Sequence, residues 1–102
     1  MIPEYYDKYG KNITLEEWAG LFGNMKYKVI EQTHLGKKYL ISTVWLGLNH
    51  GFTPGSKLIF ETMVFNANED EEEVERYSTI ESAKNGHNKI VRKYKERLNE
   101  KT

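Results

Sequence analysis

The chain has no cysteine, two prolines (Pro3 and Pro54) and no excess of charge, with fifteen Lys and Arg balancing fifteen Asp and Glu. Without thiols there can be no disulfide scaffold, zinc–thiolate site or cysteine nucleophile, and the composition fits a reducing compartment. The charge balance removes any global electrostatic case for nucleic acid or an anionic membrane, so neither is expected as a partner. No run approaches the roughly 20 apolar residues of a membrane helix, and the N-terminus MIPEYYDKYG lacks a charged lead followed by an apolar signal core. The expectation is a cytoplasmic protein. With 102 residues the chain has room for a single domain, 1–102, burying roughly 60–70% of the surface its unfolded form exposes. Aromatics are plentiful instead, and seven of them are tyrosines, which supply core mass with one polar tip.

The stretch from Tyr39 to Phe65 organises the rest: two apolar β-type runs around the loop Asn49 to Lys57, NHGFTPGSK. Before it, Asp7-Lys8-Tyr9-Gly10 suits a turn in a small hairpin or extended arm. Thr14-Leu15-Glu16-Glu17 is a capping box, with Ile13 and Trp18 as its hydrophobic staple. Leu15, Trp18, Ala19 and Phe22 then share one face of a short helix that Gly23 stops.

Lys26 to His34 and Tyr39 to Leu48 predict a strand pair. If Gly36-Lys37 is a two-residue turn, Val29 falls opposite Val44 and Tyr27 opposite Leu46. One face then holds Tyr27, Val29, Glu31, Thr33, Leu40, Ser42, Val44 and Leu46, the expected core; the other holds Lys28, Ile30, Gln32, His34, Tyr39, Ile41, Thr43 and Trp45. Leu58 to Phe65 is a third strand, apolar except for Glu61 and Thr62, so the Glu61 carboxylate needs a partner. Asn66 to Glu75 is an acidic connection, after which Glu75 to Tyr77 adds a short edge strand. Ser78-Thr79-Ile80-Glu81 offers a second capping box for a helix over 79–98, whose stripe is Ile80, Ala83, His87, Ile90, Tyr94 and Leu98. Gly86 beside the inward His87 predicts close packing on the sheet with a deliberate hydrogen bond. Together these predict an α+β domain: a three- to four-stranded antiparallel sheet, a short N-terminal helix, and a long C-terminal helix across one face.

Asn49, His50, Glu61, Arg76 and His87 are the polar residues that a plain surface does not explain. The structural expectation is that His87 donates to a backbone carbonyl or to Glu61 and that Arg76 pairs with Glu61. A binding pocket would add Trp45, Tyr39 and Phe52 as apolar walls. A metal-dependent enzyme using His50, Glu61 and His87 would need a tertiary meeting that no local spacing announces. The sequence carries no serine-nucleophile elbow, phosphate loop or cofactor motif, so the expectation is a protein that is not an enzyme and holds no cofactor.

The runs Ser42-Thr43-Val44-Trp45-Leu46-Gly47-Leu48-Asn49-His50, Ile59 to Phe65 and Arg76-Tyr77-Ser78-Thr79, with Ala83 and Gly86-His87, resemble a family of small phage and prophage proteins without an established function. Tyr5-Tyr6-Asp7 and Thr14 to Trp18 extend the likeness over most of the chain. It departs in the acidic 66–75 segment and the lysine-rich C-terminus. The resemblance implies a phage setting, where small proteins of this kind act by binding, and no reaction type. The leading expectation is a binding protein acting on a host protein through the Trp45 to Phe52 region. The alternative is capture of a small ligand such as a nucleotide, with Arg76 or the basic helix facing phosphate. A homodimer is also expected, because one long and one short helix cannot cover both faces of the sheet.

Overall fold

The computed structural model describes residues 4–49 and 57–100. Two short strands, β1 (Tyr5–Tyr6) and β2 (Asn12–Ile13), form a hairpin closed by a Gly10 N–H to Asp7 carbonyl bond of 3.1 Å, with Gly10 at φ 82°. Helix α1 (Leu15–Phe22) starts with the expected capping box: Glu17 N–H donates to Thr14 Oγ1, and Thr14 N–H to the Glu17 carboxylate, each at 3.1 Å.

Lys26 to Lys28, expected as strand, form instead the one-turn helix α2 (Met25–Lys28). Asn24 is the cause, since its side chain accepts from the amides of Lys26 and Tyr27 and caps a helical turn in place of an extended start. The main sheet has the order β3 (Val29–Leu35), β4 (Tyr39–Trp45), β5 (Phe60–Asn66) and β6 (Glu71–Tyr77), all antiparallel. Helix α3 (Ile80–Glu100) crosses it. Its cap is Thr79, whose hydroxyl oxygen accepts from Ser82 N–H at 3.0 Å, so the box expected from Ser78 and Glu81 is displaced by one residue.

The β3–β4 turn corrects the face assignment. Leu35 pairs with Tyr39, so the loop is Gly36-Lys37-Lys38, three residues and not two. Every partner from Glu31 to Leu35 moves by one, and a bulge at Ile30 absorbs the slip and restores Val29 opposite Val44. A slip of one residue exchanges faces. The helix-covered side therefore carries Glu31, Thr33 and Leu35 with Tyr39, Ile41, Thr43 and Trp45. In β4 the expected core residues Leu40, Ser42 and Val44 are only half-buried, on the side α3 leaves open. The acidic segment is likewise more ordered than expected, because Glu71 to Tyr77 pair along the whole of β5. A charged edge strand of this kind discourages further strand addition.

The core beneath α3 is in two parts. One cluster joins Leu35, Tyr39, Ile41, Val64, Ile90 and Tyr94; the other joins Tyr6, Trp45, Ile59, Phe60 and Ala83, with Trp18, Phe22 and Tyr27 packed on it. Burying each large apolar side chain stabilises by about 1.5–3 kcal/mol. Trp45 anchors the second cluster: Tyr27 meets its ring edge-on at 4.9 Å, and its indole N–H donates to the Tyr6 carbonyl at 3.0 Å. The Trp18 indole N–H donates to the Leu46 carbonyl at 2.8 Å. Two tryptophans thus fasten the N-terminal segment to the sheet. Gly47 lies between them at φ 71°, where any Cβ would overlap both rings. Gly86 has the role its sequence context predicts, since a Cβ there would run into the Tyr77 ring and hydroxyl.

Candidate functional site

Antiparallel register aligns Glu31, Thr43, Thr62 and Glu75 in one row across the four strands, on the side that α3 covers. The helix stripe places His87 above that row, between the two apolar clusters. Thr43, Thr62 and His87 are all 0% exposed. Thr43 Oγ1 lies 2.7 Å from His87 Nδ1 and also bonds Thr62 Oγ1. On the other ring nitrogen, His87 Nε2 is 2.8 Å from Thr33 Oγ1 and 3.3 Å from Glu31 Oε2.

These partners fix the proton. An ionised carboxylate only accepts, so Nε2 carries the hydrogen and shares it between Glu31 and Thr33, while Nδ1 accepts from Thr43, which accepts in turn from Thr62. Burial pushes the His87 imidazole below its ordinary value of 6.5, against a weaker upward pull from Glu31. The ring is accordingly neutral at pH 7. At the β6 end the Tyr77 hydroxyl is buried without a well-formed hydrogen bond among the described residues. Burial raises its pKa, and the neighbouring Thr62 hydroxyl opposes that rise. The layer meets solvent through Glu31, whose side chain is 45% exposed.

Glu61 belongs elsewhere. It lies one residue before Thr62 and so points to the opposite face of the sheet, where Oε2 accepts from Arg76 Nε at 3.0 Å. The expected Glu61–Arg76 pair is present. The expected meeting of Glu61 with His87 is not, because strand alternation puts four-stranded backbone between them; Glu31 is the carboxylate that His87 faces. A metal or catalytic site built on both His87 and Glu61 is therefore corrected. Trp45 and Tyr39, expected as pocket walls, are core residues at 0% and 8% exposure, one in each apolar cluster. Asn49 clasps the base of the long loop, its side-chain oxygen accepting from Leu58 N–H at 3.0 Å. His50 and Phe52 lie outside the described residues.

Sequence reasoning missed Glu31, Thr33 and Thr43 as partners of the inward histidine, and Thr62 as the hydroxyl behind Thr43. Hydroxyls at alternating strand positions are the only signal, and it is visible only once the register is right. Two other surfaces stand out. Among the described residues the large exposed apolar side chains are Tyr9, Leu15 and Met25, at 84%, 56% and 64% exposure, all in the N-terminal lobe, and α1 buries none of its residues completely. An open cavity of about 520 Å³ lies between the Asp7–Gly10 turn, Lys57 and the start of α3. Lys8 and Lys57 flank it; burial, and secondly Lys84, hold the Lys8 ammonium below its ordinary pKa.

Among the described residues, no helix is long and apolar enough to cross a membrane, and no group of three or more His, Asp or Glu converges as metal ligands. No family model matches the chain, and neither a curated protein nor a solved structure matches it.

Proposed function

We propose that this chain works by binding another protein, and that the N-terminal lobe, seated on Trp45, presents the contact surface. The observation that carries this reading is the concentration of exposed apolar side chains at Tyr9, Leu15 and Met25. A lobe that packs Trp18, Phe22 and Tyr27 around Trp45 and leaves Tyr9, Leu15 and Met25 outside offers anchors of the kind protein partners cover. The polar residues that first suggested chemistry support the same reading, for His87 is enclosed by hydroxyls and Glu61 is engaged by Arg76. The resemblance to phage and prophage proteins makes a bacterial host protein the partner class, and a host-defence or regulatory factor the kind of target.

The test is capture from a bacterial lysate by the wild type and by Leu15→Glu and Met25→Glu variants of unchanged thermal stability. The reading requires one protein whose recovery falls at least tenfold with both variants, a change worth about 1.4 kcal/mol per decade, and which then binds the purified wild type directly. Equal recovery by all three proteins sinks it.

A second reading, capture of a small anionic ligand such as a nucleotide, is favoured by the cavity that Lys8 and Lys57 flank. Arg76 is not its phosphate ligand, being turned to Glu61 on the far face. Thermal shift against a nucleotide panel separates the two readings, because a ligand at about 100 times its dissociation constant adds about 2.7 kcal/mol. An unchanged melting temperature throughout removes the second.

A further inference from the structure

The face of the main sheet opposite α3 has no covering element among the described residues. Most of its interior positions are apolar and half-buried, Val44 and Leu40 on β4, Met63 and Phe65 on β5 and Val74 on β6, with Ser42 and the Arg76-paired Glu61 among them. Polar groups border it, with Gln32 and His34 along β3, and Arg76 and Glu71 along β6. An apolar centre with a polar rim is the anatomy of a protein interface.

We infer that this face is closed by the same face of a second copy of the chain, two sheets packing across a two-fold axis that lies between them along the strands. Charge selects this occupant. At one end of the face the β6 border carries the Glu71 carboxylate, opposite Phe65; at the same end the β3 border carries His34 and leads into the Lys37-Lys38 turn. Rotation about that axis lays the β6 border of each copy over the β3 border of its partner, so carboxylates meet cations twice, while Leu40 and Ser42 pack over the partner's Phe65 and the partner's Met63. The size also fits. Four strands at about 4.8 Å spacing and seven residues at about 3.4 Å give a flat footprint of about 450 Å². Side-chain relief enlarges this flat figure towards the lower end of the roughly 600–1,000 Å² per partner of a standard interface. Two facing sheets at about 10 Å separation and about 30° form a sandwich core of the usual kind.

The test is the mass of the full chain in solution by light scattering and sedimentation, for the wild type, Phe65→Glu, Val74→Lys and, on the N-terminal lobe, Met25→Glu. The wild type should sediment as twice its 12.0 kDa monomer. Phe65→Glu and Val74→Lys should shift it to monomer with a folded circular dichroism spectrum, and Met25→Glu should leave it dimeric. Val74 lies on an edge strand, so its variant retains the test if Phe65→Glu does not fold. Glu71→Lys should weaken the dimer at least tenfold, and adding Lys37→Glu and Lys38→Glu should restore it. A wild type that is monomeric at its highest soluble concentration overturns the inference, as does a dimer lost only with Met25→Glu. A monomer in which Phe65→Glu abolishes capture of the lysate protein assigns the face to that protein and also overturns it.

Discussion

Each face of the main sheet carries exceptions to the simplest rule of folding, polar groups inside on one and apolar groups outside on the other. The covered face holds an imidazole and two threonine hydroxyls with no exposure at all, whereas the open face presents Leu40, Met63, Phe65 and Val74. What decides placement is satisfaction: a buried polar group is tolerated when its partners are built in, and an apolar side chain is tolerated outside when its neighbours share the cost or a partner removes it. The polar layer also parts the core into two apolar clusters, one around Tyr94 and one around Trp45.

Truncation within the covered face should have the largest effect. Trp45→Ala removes the ring that Tyr27, Phe22 and the Tyr6 carbonyl surround, and is expected to cost about 3–5 kcal/mol; chemical denaturation measures it. His87→Ala should cost about 3 kcal/mol, since it opens a cavity and strands the Thr43 hydroxyl. The comparison sharpens with a combined variant, Thr43→Val, Thr62→Val and His87→Leu, which removes donors and acceptors together. It should recover most of that loss, because an apolar replacement of a whole polar network is often neutral. A combined variant as unstable as His87→Ala would show that the layer contributes more than satisfied hydrogen bonds.

Protonation tests the same layer more gently. The folded-state pKa of His87 is lowered, so the unfolded chain binds the proton more readily. Stability should be steady above the ordinary imidazole value of about 6.5 and fall as pH drops below it, until the lowered native value is reached. In the His87→Leu protein this part of the acid loss should vanish, as urea midpoints across the pH series would show. The smallest effect belongs to the open face: Phe65→Ser, read in the monomeric Val74→Lys background, should change stability by no more than about 1 kcal/mol. A loss as large as that of Trp45→Ala would mean the two faces are not different in kind.

Much of this architecture is legible in the residues. The Thr14–Glu17 box, the stripe from Ile80 to Leu98 and the inward His87 follow from helical spacing, and Gly86 is explained by Tyr77 lying on it. The Glu61–Arg76 pair follows from the need of a strand carboxylate for a cation. The faces were not legible, because they hang on whether the turn after Leu35 has two residues or three, and period-two patterning inverts with that single count. The strand at Glu71 to Tyr77 was hidden by its glutamates, which have poor intrinsic strand preference and are held there by pairing with β5 and by the Glu73 contacts to Lys93 and Tyr94. With Lys93 donating to it, the Glu73 carboxyl is held below its ordinary value, and burial, with that carboxylate as the second cause, pushes the Tyr94 hydroxyl up to about 12.

A neutral histidine enclosed between helix and sheet sits at the centre of the covered face, and nuclear magnetic resonance of the His87 ring nitrogens and carbons across pH reads it directly. The expected result is one neutral tautomer at pH 7, protonated on Nε2 with Nδ1 as acceptor, gaining its second proton only below the ordinary imidazole value. A ring that titrates at or above that value, or that averages between tautomers, would contradict it.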